Sequence, residues 1–210
     1  MRVPAIAAWA ALIALAVTLP LQADSASSGG WERVYEYDGI AIWKREVPGQ
    51  EVPGFRGQVV VDADIDAVRS AIEDWQHHTE WMHRCVESKQ LKRLNEIESL
   101  LYNRTDSPWP ASDRDVVVRT KRQVSSGGSE ILLSFQNVQT ELQPAVGGVV
   151  RMPKLAGFYG LTRLRPGETK VVYQVEADVG GSLPTWIAKR VARDMPYETL
   201  ARLRSRVAPD

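Results

Sequence analysis

The 210-residue sequence predicts an α+β domain. Three observations carry that prediction. From Trp31 to Ala177 the chain divides into strand-length runs rich in Val, Ile, Tyr and Phe, separated by turn signals such as Asp-Gly, Ser-Ser-Gly-Gly-Ser and Arg-Pro-Gly-Glu. One helix-period stretch interrupts those runs early. The last segment then changes period, with apolar residues at Leu183, Ile187, Val191 and Met195, each four apart.

Length and composition agree with one soluble domain carrying a substantial core. The charged fraction is 25% and the hydrophobic fraction 44%, both ordinary for a globular protein. Lys plus Arg equal Asp plus Glu at 26 each, so no basic excess marks a nucleic-acid partner. The first residues stand apart from the domain. Arg2 is followed by an apolar run from Val3 to Leu19, then Pro20 and the small residues Ala23 and Ser25. This predicts a signal peptide over 1–23, a Ser/Gly linker over 24–30, the domain over 31–210, and an exported protein, periplasmic or secreted. An uncleaved membrane anchor is the alternative, because a run of about 17 apolar residues reaches the short limit for a bilayer span. Cys85 has no partner in the chain, so the core must hold without an internal disulfide, and Cys85 reads as a small packed residue.

The elements follow in order. Trp31–Tyr37 and Ile40–Glu46 flank Asp38-Gly39, a dipeptide suited to a tight hairpin. After the loop Pro48–Gly54, a third strand starts at Phe55. Asp64 can cap a helix whose Ile65, Val68, Ile72 and Trp75 fall three and four apart. A short helical turn follows through Glu80 and Met82. Strands are then expected at Val86–Leu94, Ile97–Thr105, Val116–Val124, Glu130–Glu141, Val149–Leu164 and Thr169–Ala177, as a long antiparallel meander. The final helix runs from Leu183 past Leu200, Leu203 and Val207, with Pro196 expected to kink or break it. One sheet and one long covering helix leave a space between them, a natural ligand cavity.

Catalytic motifs are scarce. His77, His78 and His83 cluster with Asp74, Glu80 and Cys85, but their spacing matches no zinc pattern, and the segment reads as a solvated inter-helix loop. There is no Gly-x-Ser-x-Gly elbow, and the Gly-Gly pairs lack the context of a phosphate loop. Neither a metal nor a cofactor is expected. The segment "DSPWPASDRD" at Asp106–Asp115 holds Trp109 between two prolines and places Asp113, Arg114 and Asp115 at the start of a strand. Arg114 and Asp115 point to opposite faces there, so each needs a partner from another element. Trp109, Asp113, Arg114 and Asp115 therefore read as structural anchors.

These residues also carry a resemblance. "PWPASDRDVVV" resembles the Pro-Trp-Pro-x-Ser-x-Arg-Asp stretch of START domains, the lipid-transfer domains related to the steroidogenic acute regulatory protein. "WERVYEYDGIAIWKRE", "AIEDWQHHTEW", "VVRM" and "ADVGGSLPTWIAKRVARDMP" resemble further landmarks of that family, in the family's order, across Trp31–Val207. Two features depart from it: many members carry another helix before the first Trp, and Val179 stands where the family often has Pro. The resemblance implies a helix-grip (START/Bet v 1-like) fold, in which a curved antiparallel sheet wraps a long C-terminal helix around an internal hydrophobic cavity. It implies a lipid or other hydrophobic small molecule as ligand, with transient membrane-surface contact, and no enzymatic activity. A cyclase or hydrolase on a hydrophobic substrate, or a ligand-sensing module of an envelope complex, is the alternative. Strand parity puts Leu133 and Phe135, or alternatively Leu132, on the cavity wall, with Tyr102, Met152 and Tyr159 as further wall residues. Trp186, Ile187, Val191 and Met195 would form the roof and gate. Arg119 and Arg151 are candidates for orienting a ligand hydroxyl.

Overall fold

The computed structural model describes residues 30–50, 52–181 and 184–208. The expected signal peptide and nearly all of the linker lie outside these residues, as does Leu183. Among the described residues no helix is long and apolar enough to cross a membrane.

Ten strands form one curved sheet: β1 (Glu32–Tyr37), β2 (Ile40–Arg45), β3 (Gly54–Val61), β4 (Cys85–Arg93), β5 (Glu98–Thr105), β6 (Arg114–Val124), β7 (Glu130–Asn137), β8 (Val150–Arg151), β9 (Lys154–Arg165) and β10 (Glu168–Asp178). Nine of them run β1-β2-β3-β10-β9-β7-β6-β5-β4, every pair antiparallel. The β3–β10 pairing joins the N-terminal hairpin to the C-terminal strand, so the sheet is one body. The β1–β2 turn is tight because Asp38 and Gly39 both take positive φ, 49° and 70°.

The long strand expected over Val149–Leu164 is two strands. Pro153 has no N–H to give a ladder, and Asn137 donates its side-chain amide to the Pro153 carbonyl at 3.0 Å. The first piece, β8, pairs with β6, and does so in parallel. The expected strand Glu130–Glu141 likewise stops at Asn137, whose side-chain oxygen accepts the Leu155 N–H instead of continuing the ladder.

Helix α1 (Ile65–Glu73) buries Ile65, Val68 and Ile72. Asp64 holds the cap position, yet its carboxylate accepts the Gly167 N–H at 2.9 Å and ties the helix start to the β9–β10 turn. Trp75 falls in a 3₁₀ turn (Trp75–His77) that leads into the single-turn α2 (His78–Trp81). Helix α3 (Thr185–Val207) runs unbroken through Pro196. It packs on β2, β3 and β10 and against α1 and α2, with Leu200 and Leu203 fully buried. Its seat is Gly57: a Cβ there would lie 2.6 Å from Leu200 Cδ1 and 3.2 Å from Pro196 Cβ. Pro196 is buried at that crossing, so packing against β3 holds the helix through the residue that was expected to interrupt it.

Candidate functional site

The concave face of the sheet, α2 and α3 enclose an apolar space with two chambers. The upper chamber is the smaller of the two. Alternation along each strand puts one residue parity on this face: Leu101 and Asn103 of β5, Val116, Val118 and Thr120 of β6, Leu133 and Phe135 of β7, and Tyr173, Val175 and Ala177 of β10. Met82, Asn103, Leu155 and Tyr173 line both chambers and form the constriction between them.

An aromatic group forms the floor of the upper chamber. Tyr159 and Tyr173 are opposite one another in the β9–β10 register and stack with ring centroids 4.4 Å apart, 11° from parallel. The Phe135 ring lies 6.3 Å from both. Phe135 fits because its register partner is Gly157, where a Cβ would sit 2.5 Å from the Phe135 Cζ. Burial pushes both tyrosine hydroxyls well above their ordinary pKa, so they stay neutral. Tyr173 donates to the Met195 sulfur at 3.8 Å and thereby touches α3.

His78 corrects the solvated-loop expectation for its segment. It is 2% exposed, lines the upper chamber, and its Nε2 donates to the Ile72 carbonyl at 2.8 Å. Burial pulls its pKa down to about 4, so the ring is neutral at pH 7. His77, by contrast, is exposed and pairs with Asp74 at 2.7 Å. Among the described residues no group of three His, Cys, Asp or Glu is placed to hold a metal ion. Cys85 opens β4 buried, and burial raises its thiol to about 11. At the upper mouth, Arg122 Nη1 donates to both carboxylate oxygens of Glu73 at 2.9 and 2.7 Å.

The expected wall residues separate cleanly. Leu133, Phe135 and Tyr159 line the upper chamber, and Met152 and Met195 the lower. Leu132 belongs to the outer face. Tyr102 and Arg119 require correction: each is one residue out of phase with the inner-facing parity of its strand. Tyr102 is fully buried on the outer face, where burial and the Asp115 charge raise its pKa to about 12. Arg119 is exposed and pairs with Glu98. Arg151 forks onto Asp115 at 2.6 and 3.2 Å on that same outer face, so neither arginine reaches a ligand in the cavity. Trp186 is 67% exposed and is not part of the roof. The side chains of Ile187 and Val191 lie outside what the structure describes.

The "DSPWPASDRD" segment divides in two. Asp113 receives Arg104 at 2.8 and 2.6 Å, and Asp115, 1% exposed, receives Arg151. Arg114, also buried, donates to carbonyls of its own loop and of the β10–α3 connection. Trp109 is 91% exposed, which corrects its reading as an anchor: the prolines present the indole to solvent rather than to the sheet.

Sequence reasoning missed Tyr173, Leu155, Met82 and His78 as wall residues. The alternation Val171, Tyr173, Val175, Ala177 was a usable signal for Tyr173. No comparable signal existed for His78 or Met82, which reach the chamber only because α2 folds back over β4.

A curved antiparallel sheet closed by a C-terminal helix over an apolar cavity defines a helix-grip domain. The family model for the START domain matches residues 16–208, and the chain belongs to that family of lipid-binding and lipid-transfer domains. It is 32% identical over 183 residues to an uncharacterized protein of Pseudomonas aeruginosa, covering 87% of this chain and 89% of that one. It is also similar to the crystal structure of a STAR-related lipid transfer protein (fragment 25–204) from Xanthomonas axonopodis. That match has 31% identity and a TM-score of 0.77, and covers 85% of this chain and 98% of the other. Human StAR-related lipid transfer protein 5 shares the fold at 19% identity and a TM-score of 0.79, over 87% of this chain and 88% of that one.

Proposed function

We propose that this protein binds a lipid or other hydrophobic small molecule in its two-chambered cavity and carries it within the cell envelope, without catalysing a reaction. The observation that carries this reading is the wall itself, an inner face of mainly aliphatic side chains, methionines and neutral stacked tyrosines, into which a few polar groups such as Asn103, Thr120 and Arg114 are set. Each ligand methylene moved from water into such a space contributes about 0.8 kcal/mol, so a long chain needs few polar contacts. The N-terminal sequence supports export, because the basic residue, apolar run and small residues precede the domain.

Membrane contact belongs to the end of the molecule where Trp109 and Trp186 are exposed. Their segments are neighbours, since Arg114 donates both to Ser112 of the Trp109 loop and to Val179 and Gly180 ahead of α3. Lys189, Arg190 and Arg193 on the adjoining turns of α3 are exposed and suit anionic headgroups, although Asp194 already holds Arg193 at 2.8 Å and Arg190 at 3.8 Å. Arg204 and Arg206, farther along, are taken by Asp38, Asp74 and Glu80.

Mass spectrometry of organic extracts from natively purified protein tests the main reading. A co-purifying lipid in near-stoichiometric amount is expected. A protein that purifies empty and takes up nothing from lipid vesicles overturns it.

A further inference from the structure

The lower chamber contains a charge that an apolar ligand alone would leave unanswered. Arg114 is 5% exposed and lines that chamber beside Met152, Val175 and Met195. Its guanidinium offers five N–H donors, and every acceptor it meets is neutral. These are the Ser112 carbonyl, the Gly180 and Val179 carbonyls at 3.3 and 3.4 Å, and the Ser107 hydroxyl at 3.5 Å. The last three contacts are at or beyond the long end of N–H···O bonds.

The neighbouring carboxylates are engaged elsewhere. Asp113 pairs with Arg104 and acts on Arg114 only through space, while Asp106 pairs with Arg84 and Asp115 with Arg151. Among the described residues no carboxylate lies within ion-pairing distance of Arg114. A cation taken out of water without a counter-charge is costly, and a charge-assisted bond to an anion offsets that cost. His83 lines the same chamber, and its Nδ1 is buried without a partner. Beyond the constriction at Met82 and Leu155, the upper chamber presents its aromatic floor.

We propose that Arg114 receives the anionic head group, a carboxylate or a phosphate, of a single-chain amphiphile whose tail passes Met82 and Leu155 into the upper chamber. The proposal rests on the lipid-binding reading of the cavity. It assigns Arg114 two tasks: tying the Trp109 loop to the β10–α3 connection, and recognising charge. The Arg114 fork suits either oxyanion, and His83 supplies a second donor when Nδ1 carries its proton.

The test is a titration of the full chain with oleate, oleoyl lysophosphatidate and methyl oleate, followed by native mass spectrometry. Binding of either acid about tenfold or more tighter than the ester is expected, and the tighter acid distinguishes carboxylate from phosphate. Equal binding of acids and ester overturns the head-group assignment while leaving lipid binding intact. Binding of none of the three overturns both. Arg114→Gln should bring the ratio of acid to ester affinity down to about one. A folded Arg114→Gln protein that keeps the wild-type preference overturns the role of Arg114. If Arg114→Gln does not fold, Arg114→Lys takes its place: it keeps the charge and loses the planar fork, so the preference for the acids should fall severalfold, and a folded Lys variant with the full wild-type preference overturns the role of the Arg114 fork.

Discussion

Asp115 is 1% exposed and accepts two bonds from Arg151, whose side chain keeps 31% of its exposure. Removing the carboxylate leaves Arg151 only the carbonyls of Gln143 and Pro144. Asp115→Ala should cost about 2–3 kcal/mol, less than a fully enclosed pair because Arg151 regains some water; chemical denaturation measures it. Trp109→Ala, in the loop that precedes the same strand, should change stability by less than about 0.5 kcal/mol, since its indole is 91% exposed. The same variant should bind anionic vesicles more weakly in a sedimentation assay, and unchanged vesicle binding removes Trp109 from the membrane face. His78 has a pH signature. Its folded pKa of about 4 lies below the ordinary value of 6.5, so between those values the unfolded chain binds more protons. Stability therefore falls as pH drops through that window, by about 2 kcal/mol from pH 7 to pH 5. His78→Gln cannot titrate, and its melting temperature should lose that part of the acid dependence.

At the scale of elements, α3 is seated on β3 at Gly57. Gly57→Ala places a Cβ 2.6 Å from Leu200 Cδ1 and 3.1 Å from Ile42 Cδ1. Leu200 must move, and the helix or the strand shifts with it, at a cost of about 1–3 kcal/mol. A lowered melting temperature is expected, and an unchanged one would show that the helix seat gives freely. Legibility from sequence differs by element for a physical reason. Strands β1 to β7 and β10 are strand-length runs bounded by turn residues, a local signal that survives packing, and β10 adds a clean period-two alternation. The break at Met152-Pro153 has a local signal in the proline, whereas the parallel pairing of β8 depends on its partner β6, which no local pattern encodes. Pro196 shows the reverse: a strong local breaker is overridden by burial against Gly57. Wall positions in β7 were legible only as a choice of parity, Leu133 and Phe135 or else Leu132, and the fold selects the first. Wall positions failed at Tyr102 and Arg119, where the face depends on the register of β5 with β6.

For the whole molecule, one cavity has to serve both stability and ligand exchange. The wall residues Leu133 and Tyr159 also belong to the buried core, so the chamber is a gap left within the packing rather than a groove on its surface. A ligand that fills it should raise the melting temperature in proportion to the logarithm of its concentration above its dissociation constant. Leu133→Trp separates the two roles. Leu133 lies opposite Tyr159 in the β7–β9 register and points into the upper chamber. The larger indole therefore enters empty space, where its burial offsets part of the overpacking cost. The variant should stay folded, with a melting temperature within a few degrees of wild type. Its ligand-dependent thermal shift should disappear, because the tail has lost its chamber. A variant that keeps the full shift would place the hydrophobic tail elsewhere, leaving the lower chamber alone as the binding site.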